Sequence, residues 1–240
     1  MRGFKAKNFV CLIWAICVVS LFSAQIFWSA NGQIKQPDDK SASNLKSADE
    51  LINSFDALIQ QRFLTEPYFG IRRIAPTYPT NPHLESFYPK NEDETKSRAE
   101  FEKGGWKVFL YLFGRQANPR VVDGKPQKEF SIKYRINQPV PVTKKLKSED
   151  LPKGEELMKD VKKAFLAFQT PNSANENNYE FKKGSWNYVA RPVRAANETC
   201  IKCHTDYVIT GKLDKNTFKF RKRQVGDTNG VLVYGFKKDD

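Results

Sequence analysis

Apolar and polar residues follow one another in patterns that predict two helices. Residues 48–63 carry apolar side chains on two adjoining stripes, which together form one broad helix face. Ser47 and Glu50 have the spacing of a capping box, so this helix should begin just after Ser47. Such a face needs a large packing partner, for which a sheet or a haem edge would serve. A second helix is predicted from about Gly154 to Phe168, and it buries Leu157, Val161, Ala164, Phe165 and Phe168.

Segments rich in β-branched and aromatic residues predict an antiparallel sheet. Residues 106–113 form an apolar run, and residues 129–136 alternate between apolar and polar side chains as a half-buried strand does. The turn-forming residues 225–230 should join the last two strands. Further strands are predicted at 179–181, 186–193, 217–223 and 231–236. Helices around such a sheet predict an α+β domain.

Residues 66–100 show no period and contain five prolines. The sequence therefore predicts an irregular loop. The aromatic side chains within it argue against disorder, and a long irregular segment in a folded domain is often functional. This segment also contains His83, one of only two histidines in the chain.

The N-terminal residues have the layout of an export signal. Three basic residues precede an apolar run at residues 9–30, which is typical of a signal peptide and is also long enough to span a bilayer. Cleavage sites are poor, so residues 1–33 are either a signal peptide or a retained membrane anchor. Residues 34–46 are polar and are interpreted as a linker. Residues 47–240 should then fold on the periplasmic side of the cytoplasmic membrane, free or anchored by residues 9–30.

The chain is strongly basic, with 40 Lys and Arg against 27 Asp and Glu, a net charge of +13. This balance favours an acidic protein partner, an anionic membrane surface or simple solubility. The basic residues are scattered and match no nucleic-acid-binding motif, so we expect no nucleic acid partner. Catalytic patterns such as paired carboxylates do not stand out either, and we do not expect an enzyme.

One short motif carries the clearest chemistry. Residues 200–204 read C-x-x-C-H, the attachment signal for a c-type haem. The two thiols add to the vinyl groups of the porphyrin, and the histidine that follows binds the iron. The motif therefore predicts one covalent haem c, attached at Cys200 and Cys203, with His204 as the proximal iron ligand.

Two other chemistries are open to the same residues. A structural zinc site needs four nitrogen or sulfur ligands, and the only further histidine for it is His83. A thioredoxin-type dithiol would use Cys200 and Cys203, but it gives no reason for His204. Neither alternative explains the motif as fully as haem attachment does. Export also fits haem, since the chain beyond residue 33 contains no other cysteine.

Two longer runs resemble a known family. Residues 188–204, Y-V-A-R-P-V-R-A-A-N-E-T-C-I-K-C-H, and residues 225–233, V-G-D-T-N-G-V-L-V, resemble single-haem c-type proteins with a PAS-like fold. Residues 72–85 resemble the Arg-rich and Asn-Pro-rich loop of that family more loosely, and the likeness extends over about residues 48–238. It implies a PAS-like antiparallel sheet flanked by helices, and a role in haem-based redox sensing, gas sensing or electron transfer.

The chain departs from this family in two ways, and both concern the second axial ligand of the iron. Some members use a cysteine of the first helix, but residues 48–63 contain none, and residues 138–178 have no counterpart that we can place. The remaining candidates are His83 and Met158. A methionine at helical spacing more often fills a core. We favour His83, because prolines stiffen its loop and the resemblance implies that this loop lies near the haem.

These observations leave two functional classes open. A sensor would change its haem ligation with redox state or with a small gas, and would pass the signal to a partner protein. An electron carrier would dock an acidic redox protein through its basic surface. Ready ligand exchange at the iron would favour the sensor, and a low-spin haem that ignores carbon monoxide would favour the carrier.

Overall fold

A computed structural model describes most of the chain after the predicted leader. The compact unit is Leu45–Asp240. Among the residues that the structure describes, no helix is both long and apolar enough to cross a membrane. The predicted leader, residues 34–45 of the predicted linker, His83 and His204 lie outside the described residues. The structure describes residues 46–66, 70–75, 86–146, 151–169, 177–203, 207–210 and 219–239.

Helices and strands combine into an α+β fold, as the sequence predicts. The helices are α1 (Ala48–Thr65), a 3-10 helix (Gly70–Arg73), α2 (Glu92–Lys103), α3 (Gly154–Phe168) and α4 (Glu198–Cys203). The strands are β1 (Trp106–Val122), β2 (Lys125–Ile136), β3 (Val140–Pro141), β4 (Tyr179–Lys183), β5 (Trp186–Arg194), β6 (Tyr207–Thr210), β7 (Lys219–Lys222) and β8 (Thr228–Lys238).

The strands form one antiparallel sheet in the order β4-β5-β8-β1-β6-β7, with β2 and β3 also paired to β1. Strand β8 lies between β5 and β1, and its residues from Gly230 to Phe236 are all buried. A strand whose successive side chains are all buried must be covered on both faces. The centre of the sheet is therefore the middle layer of the fold.

The two faces of the sheet carry separate hydrophobic cores. Leu110 and Leu112 of β1 belong to the core under α1 and α2. Phe109 and Tyr111 point to the opposite face and belong to the core under α3. This division follows from the period of two along a strand, which sends neighbouring side chains to opposite faces.

Helix α1 has the start and the packing face that the sequence predicts. Ser47 and Glu50 form the capping box: the Glu50 backbone N–H donates to the Ser47 hydroxyl (3.3 Å), and the Ser47 N–H donates to the Glu50 carboxylate (2.8 Å). The helix packs on the sheet, where the Tyr234 hydroxyl donates to Asp56 (2.7 Å). A sheet, rather than a haem edge, is thus the large partner of this face.

Helix α2 lies in the segment that the sequence predicts to be irregular, and there the prediction is wrong. Its sequence is very polar, and only Glu94, Ser97 and Phe101 are buried, so it shows no apolar stripe. The signals that it does carry lie at its start, where Asn91 caps the helix and three acidic residues occupy the first turn. Helix α3 matches its predicted bounds, because five apolar residues repeat on one face.

The six predicted strands are present but differ in length and pairing, and β3 and β6 are strands that the sequence analysis did not predict. Strand β1 runs to Val122, well past the apolar run at residues 106–113, because β2 pairs with it along this extension. The pairing register shifts between Pro119 and Val121, as expected beside a residue with no backbone N–H. Strand β7 pairs with β6 in the described residues, whereas β8 pairs with β5 and β1.

Candidate functional site

The C-x-x-C-H motif begins on α4, a short helix that follows β5. The Asn197 side chain accepts hydrogen bonds from the backbone N–H groups of Thr199 (3.1 Å) and Cys200 (3.2 Å), and so caps the helix start. Positions 200 and 203 are one helical turn apart, a spacing that puts two residues on the same helix face. The Cys200 thiol is free and half-buried. These features fit a group attached to both cysteines.

His204 and the side chain of Cys203 lie outside the described residues. The chain is described again from Tyr207, where β6 begins. The structure thus defines how the chain enters the motif and where it goes afterwards.

The backbone before α4 is bound to the turn between β7 and β8. The Ala195 N–H donates to the Asp227 carbonyl (2.8 Å), and the Gly226 N–H donates to the Ala195 carbonyl (2.7 Å). Gly226 has a φ of +91°, a conformation that L side chains rarely adopt. Position 226 therefore favours glycine, because the turn that contacts the segment before α4 needs this backbone conformation.

Asp227 holds this turn together through its carboxylate. It accepts two hydrogen bonds from the Arg221 guanidinium (2.7 and 2.6 Å) and one from the Gln224 backbone N–H (2.7 Å). Burial alone would raise the pKa of Asp227, but these hydrogen bonds and the positive charges of Arg221 and Arg223 outweigh it and lower the pKa below its usual value. The carboxylate is therefore ionised at neutral pH.

A small polar pocket lies beside the turn between β7 and β8, where Arg223 and Thr228 contribute to its lining. Its volume is about 10 Å³. Arg223 is only 6% exposed, and its guanidinium donates to the Thr228 carbonyl (2.7 Å) and to the Asn229 side chain (3.0 Å). The Arg115 guanidinium donates to the Gln169 side chain at the end of α3 (2.9 Å). The lining of this Arg115–Arg223 pocket includes Arg115, Ala117, Gln169, Tyr207, Arg223 and Thr228.

Of the two candidates for the second axial ligand, the structure describes only Met158. His83 lies outside the described residues. Met158 packs against the core under α3 as a partly buried side chain. It lies near the start of α3, roughly 16 Å along the helix axis from Gln169, which ends beside the pocket. Its position at the border of the core fits the packing role that a methionine at helical spacing most often has.

Several residues around the motif have roles that the sequence does not assign. Asn197, Arg221 and Asp227 position α4 and its neighbouring turn, and Arg115 and Thr228 meet in the pocket. The Gly-Asp pair at 226–227 is visible in the sequence as a turn signal, but its contact with Ala195 depends on the fold. Within the described part of the chain, no three His, Cys, Asp or Glu side chains form a group that could hold a metal ion.

No family model, curated protein or solved structure matches this chain.

Proposed function

We propose that the protein is an exported, monohaem c-type cytochrome-like protein that acts in haem-based redox or gas sensing. The observation that carries this proposal is the C-x-x-C-H motif at residues 200–204. Its placement on a capped helical turn supports it, because this backbone sets the two cysteine positions one turn apart.

In this proposal each residue of the motif has one task. Cys200 and Cys203 form the two thioether bonds, and His204 binds the iron on the proximal side. His83 is the proposed second axial ligand. The haem supplies redox change and ligand exchange at its iron, and the chain sets both through its axial ligands and through the charges nearby.

The finer fold assignment is also a proposal. The order β2-β1-β8-β5-β4 is compatible with the PAS-like sheet that the family resemblance implies, and the motif lies in the connection between β5 and β8. The basic, apolar layout of residues 1–33 supports export to the periplasmic side, where haem c is attached.

A second function, electron transfer, is favoured by one observation, the net charge of +13. Such a surface would steer an acidic redox protein towards the haem domain. Binding of carbon monoxide by the reduced protein distinguishes the two functions, because a carrier with two firm axial ligands leaves no open site on the iron.

Haem retention tests the proposal. The full chain should be expressed together with haem-maturation machinery, and its intact mass should be measured after acid and solvent extraction. We expect one retained haem per chain, and we expect Cys200→Ser with Cys203→Ser to abolish retention. Cys11→Ser is the matched control, since Cys11 lies in the leader. A mature wild-type protein that retains no haem would contradict the proposed function.

A further inference from the structure

Four strands meet at the end of the sheet that lies opposite the motif. Strands β1 and β8 meet there because Trp106 pairs with Lys238, and β4 and β5 meet there because Lys183 pairs with Trp186. We propose that this end of the domain docks on an anionic membrane surface. Docking rests on the proposed function in one respect, the retention of residues 1–33 as a membrane anchor.

Five lysines cluster at this end, and none of them forms an ion pair with an acidic side chain that the structure describes. We call them the lysine end: Lys103, Lys144, Lys182, Lys237 and Lys238. All are exposed except Lys237, which is half-buried. Helix α2 ends at Lys103, and the neighbouring Glu102 accepts the backbone N–H of Lys144 (3.2 Å). These two lysines therefore lie close together although they are far apart in sequence.

Two of the ammonium groups are held in place by neutral partners. Lys237 Nζ lies over the ring of Trp186, 4.8 Å from its centroid, and Lys238 Nζ lies over the ring of Trp106 at 4.1 Å. Lys238 Nζ also donates to the Gly104 carbonyl (2.6 Å). Aromatic faces attract ammonium groups without neutralising them. The last turn of the chain in β8 thus keeps two positive charges at the edge of the domain.

Acidic side chains at this end do not cancel the charge. Asp239 accepts from both Lys107 (2.5 Å) and Lys145 (2.9 Å), so one carboxylate faces two ammonium groups. Two further carboxylates in this region each face one lysine. Glu102 adds one negative charge beside the lysine end. Among the described residues, this surface is therefore clearly positive at neutral pH.

The chain enters the compact unit at the same end, which favours a membrane as the partner. Lys46 forms an ion pair with Glu100 (3.0 Å), one helical turn before Lys103. Residues 31–45 separate Lys46 from the predicted anchor at residues 9–30, and an extended chain of that length spans at most about 50 Å. A retained anchor would keep the lysine end near the bilayer, and such tethering makes even a weak contact effective.

The distribution of apolar side chains argues against a protein as the partner. A protein interface usually has an apolar or aromatic centre, whereas contact with anionic headgroups needs only clustered positive charge. The large apolar side chains that are well exposed in the described part of the chain lie away from the lysine end: Leu64, Tyr88, Val121, Val122, Leu166 and Val225. This end therefore has the charge for a membrane surface and lacks the centre of a protein interface.

Docking by the lysine end would orient the motif. Strand β5 begins at Trp186, beside the lysine end, and ends at Arg194, shortly before the motif. Its nine residues span roughly 26 Å at the usual rise of a strand. The C-x-x-C-H motif would then face away from the bilayer, where a soluble partner protein can reach it.

Lysine acetylation of the full chain in lipid nanodiscs tests the docking. One set of nanodiscs contains phosphatidylcholine alone, and the other contains about 30% phosphatidylglycerol. A short pulse of acetylating reagent, followed by peptide mass spectrometry, measures the reactivity of each lysine. Lys144, Lys182 and Lys238 should react at least about threefold more slowly in the anionic nanodiscs, and about 1 M NaCl should remove this protection. Lys125 and Lys133, exposed residues of β2, should react equally in both.

A pair of double variants makes the test specific. A lysine near an anionic surface strengthens binding about fivefold, so Lys144→Gln with Lys182→Gln should weaken docking about 25-fold and abolish the protection of Lys238. Lys125→Gln with Lys133→Gln removes the same charge from the distal part of the β1–β2 hairpin and should leave Lys238 protected. All four substituted side chains are exposed, so neither variant should affect folding.

Each other outcome contradicts the inference. Equal reactivity of the lysine end in both kinds of nanodisc would overturn membrane docking and would leave the charge to an acidic protein. Protection of Lys125 and Lys133 instead would place the contact at the hairpin. A chain that does not enter the nanodiscs would contradict the retained anchor, and the docking with it. Haem retention is measured on the same preparation, so loss of haem with intact protection would overturn the proposed haem function alone.

Discussion

Arg62 is a charged side chain in the interior, with 3% exposure. Its guanidinium donates to Glu94 through Nε (2.7 Å) and also through Nη2. Further hydrogen bonds go to the backbone oxygens of Arg73, Ile74 and Tyr88. One side chain of α1 thus connects three segments that are separate in sequence, and this connection is possible only because every donor that points inwards meets an acceptor.

Removing Arg62 should destabilise the fold severely, because Glu94 is 2% exposed and would be left as a buried charge. For Arg62→Met we expect a loss of about 3–5 kcal/mol in the free energy of unfolding. The measurement is urea unfolding at neutral pH. Lys46→Met is the matched control: Lys46 is half-exposed in its ion pair with Glu100, and its loss should cost at most about 1 kcal/mol. Equal losses in the two variants would contradict the role of Arg62.

At the scale of elements, the turn between β7 and β8 fixes the start of α4. Asp227 binds Arg221 of β7 through its side chain and Ala195 through its carbonyl, so it connects a strand to the segment that enters the motif. The pKa of Asp227 is lowered in the folded protein. Its contribution to stability is therefore complete above the unfolded carboxyl pKa of about 3.9, and is lost as the pH falls through the lower folded value.

Asp227→Asn should weaken this connection, since an amide cannot accept both guanidinium hydrogen bonds. We expect a loss of about 1.5–3 kcal/mol at neutral pH and a smaller drop in stability on acidification than in the wild type. Thermal or urea unfolding at several pH values measures both effects. Glu129→Gln makes the same charge change in an ion pair whose side chains are 75% and 67% exposed, and should change stability by less than about 1 kcal/mol. If Asp227→Asn loses as much stability on acidification as the wild type does, the acid sensitivity comes from other groups.

The elements differ in how far their sequences determine them. The sequence predicts helix α3 because apolar residues repeat on one face. It predicts α1 because a capping box precedes the apolar stripes of that helix. The apolar pattern does not predict helix α2, because a polar helix that buries only three residues has almost no apolar period. The length of β1 depends on its pairing with β2, and the pairing of β7 with β6 depends on the whole sheet. Pairing between strands is a long-range property that local patterns do not contain.

At the scale of the whole molecule, the candidate site also has one part that the local sequence predicts and one part that depends on the fold. The attachment motif can be predicted because its chemistry occupies five consecutive residues. The Arg115–Arg223 pocket cannot, because β1, β6, β8 and the segments that follow α3 and β7 each contribute to it. Only the folded sheet brings Arg115 and Thr228 together. The local sequence therefore does not indicate that these two residues are neighbours.

The arrangement of α3 on the sheet bears on the second axial ligand of the proposed haem. Helix α3 covers one face of the sheet, and its C-terminal end meets the pocket through Gln169 and Arg115. Met158 lies near the other end of α3 and packs into the core there. A partly buried side chain that packs against the core at the far end of α3 from the pocket is a weaker candidate than His83, so His83 is the residue to test first.

His83→Ala should therefore change the haem-loaded protein, and Met158→Leu should not. With two histidine ligands the wild-type protein should give a low-spin spectrum without a sulfur-to-iron band, and in a sensor carbon monoxide should bind the reduced iron only by displacing His83. His83→Ala opens the iron, so a high-spin spectrum and carbon monoxide binding are expected. Met158→Leu nearly conserves volume and should cost less than about 1.5 kcal/mol with unchanged spectra. If His83→Ala leaves the spectra unchanged and the wild-type protein already binds carbon monoxide, the iron has an open site, and gas sensing becomes the function that the haem supports.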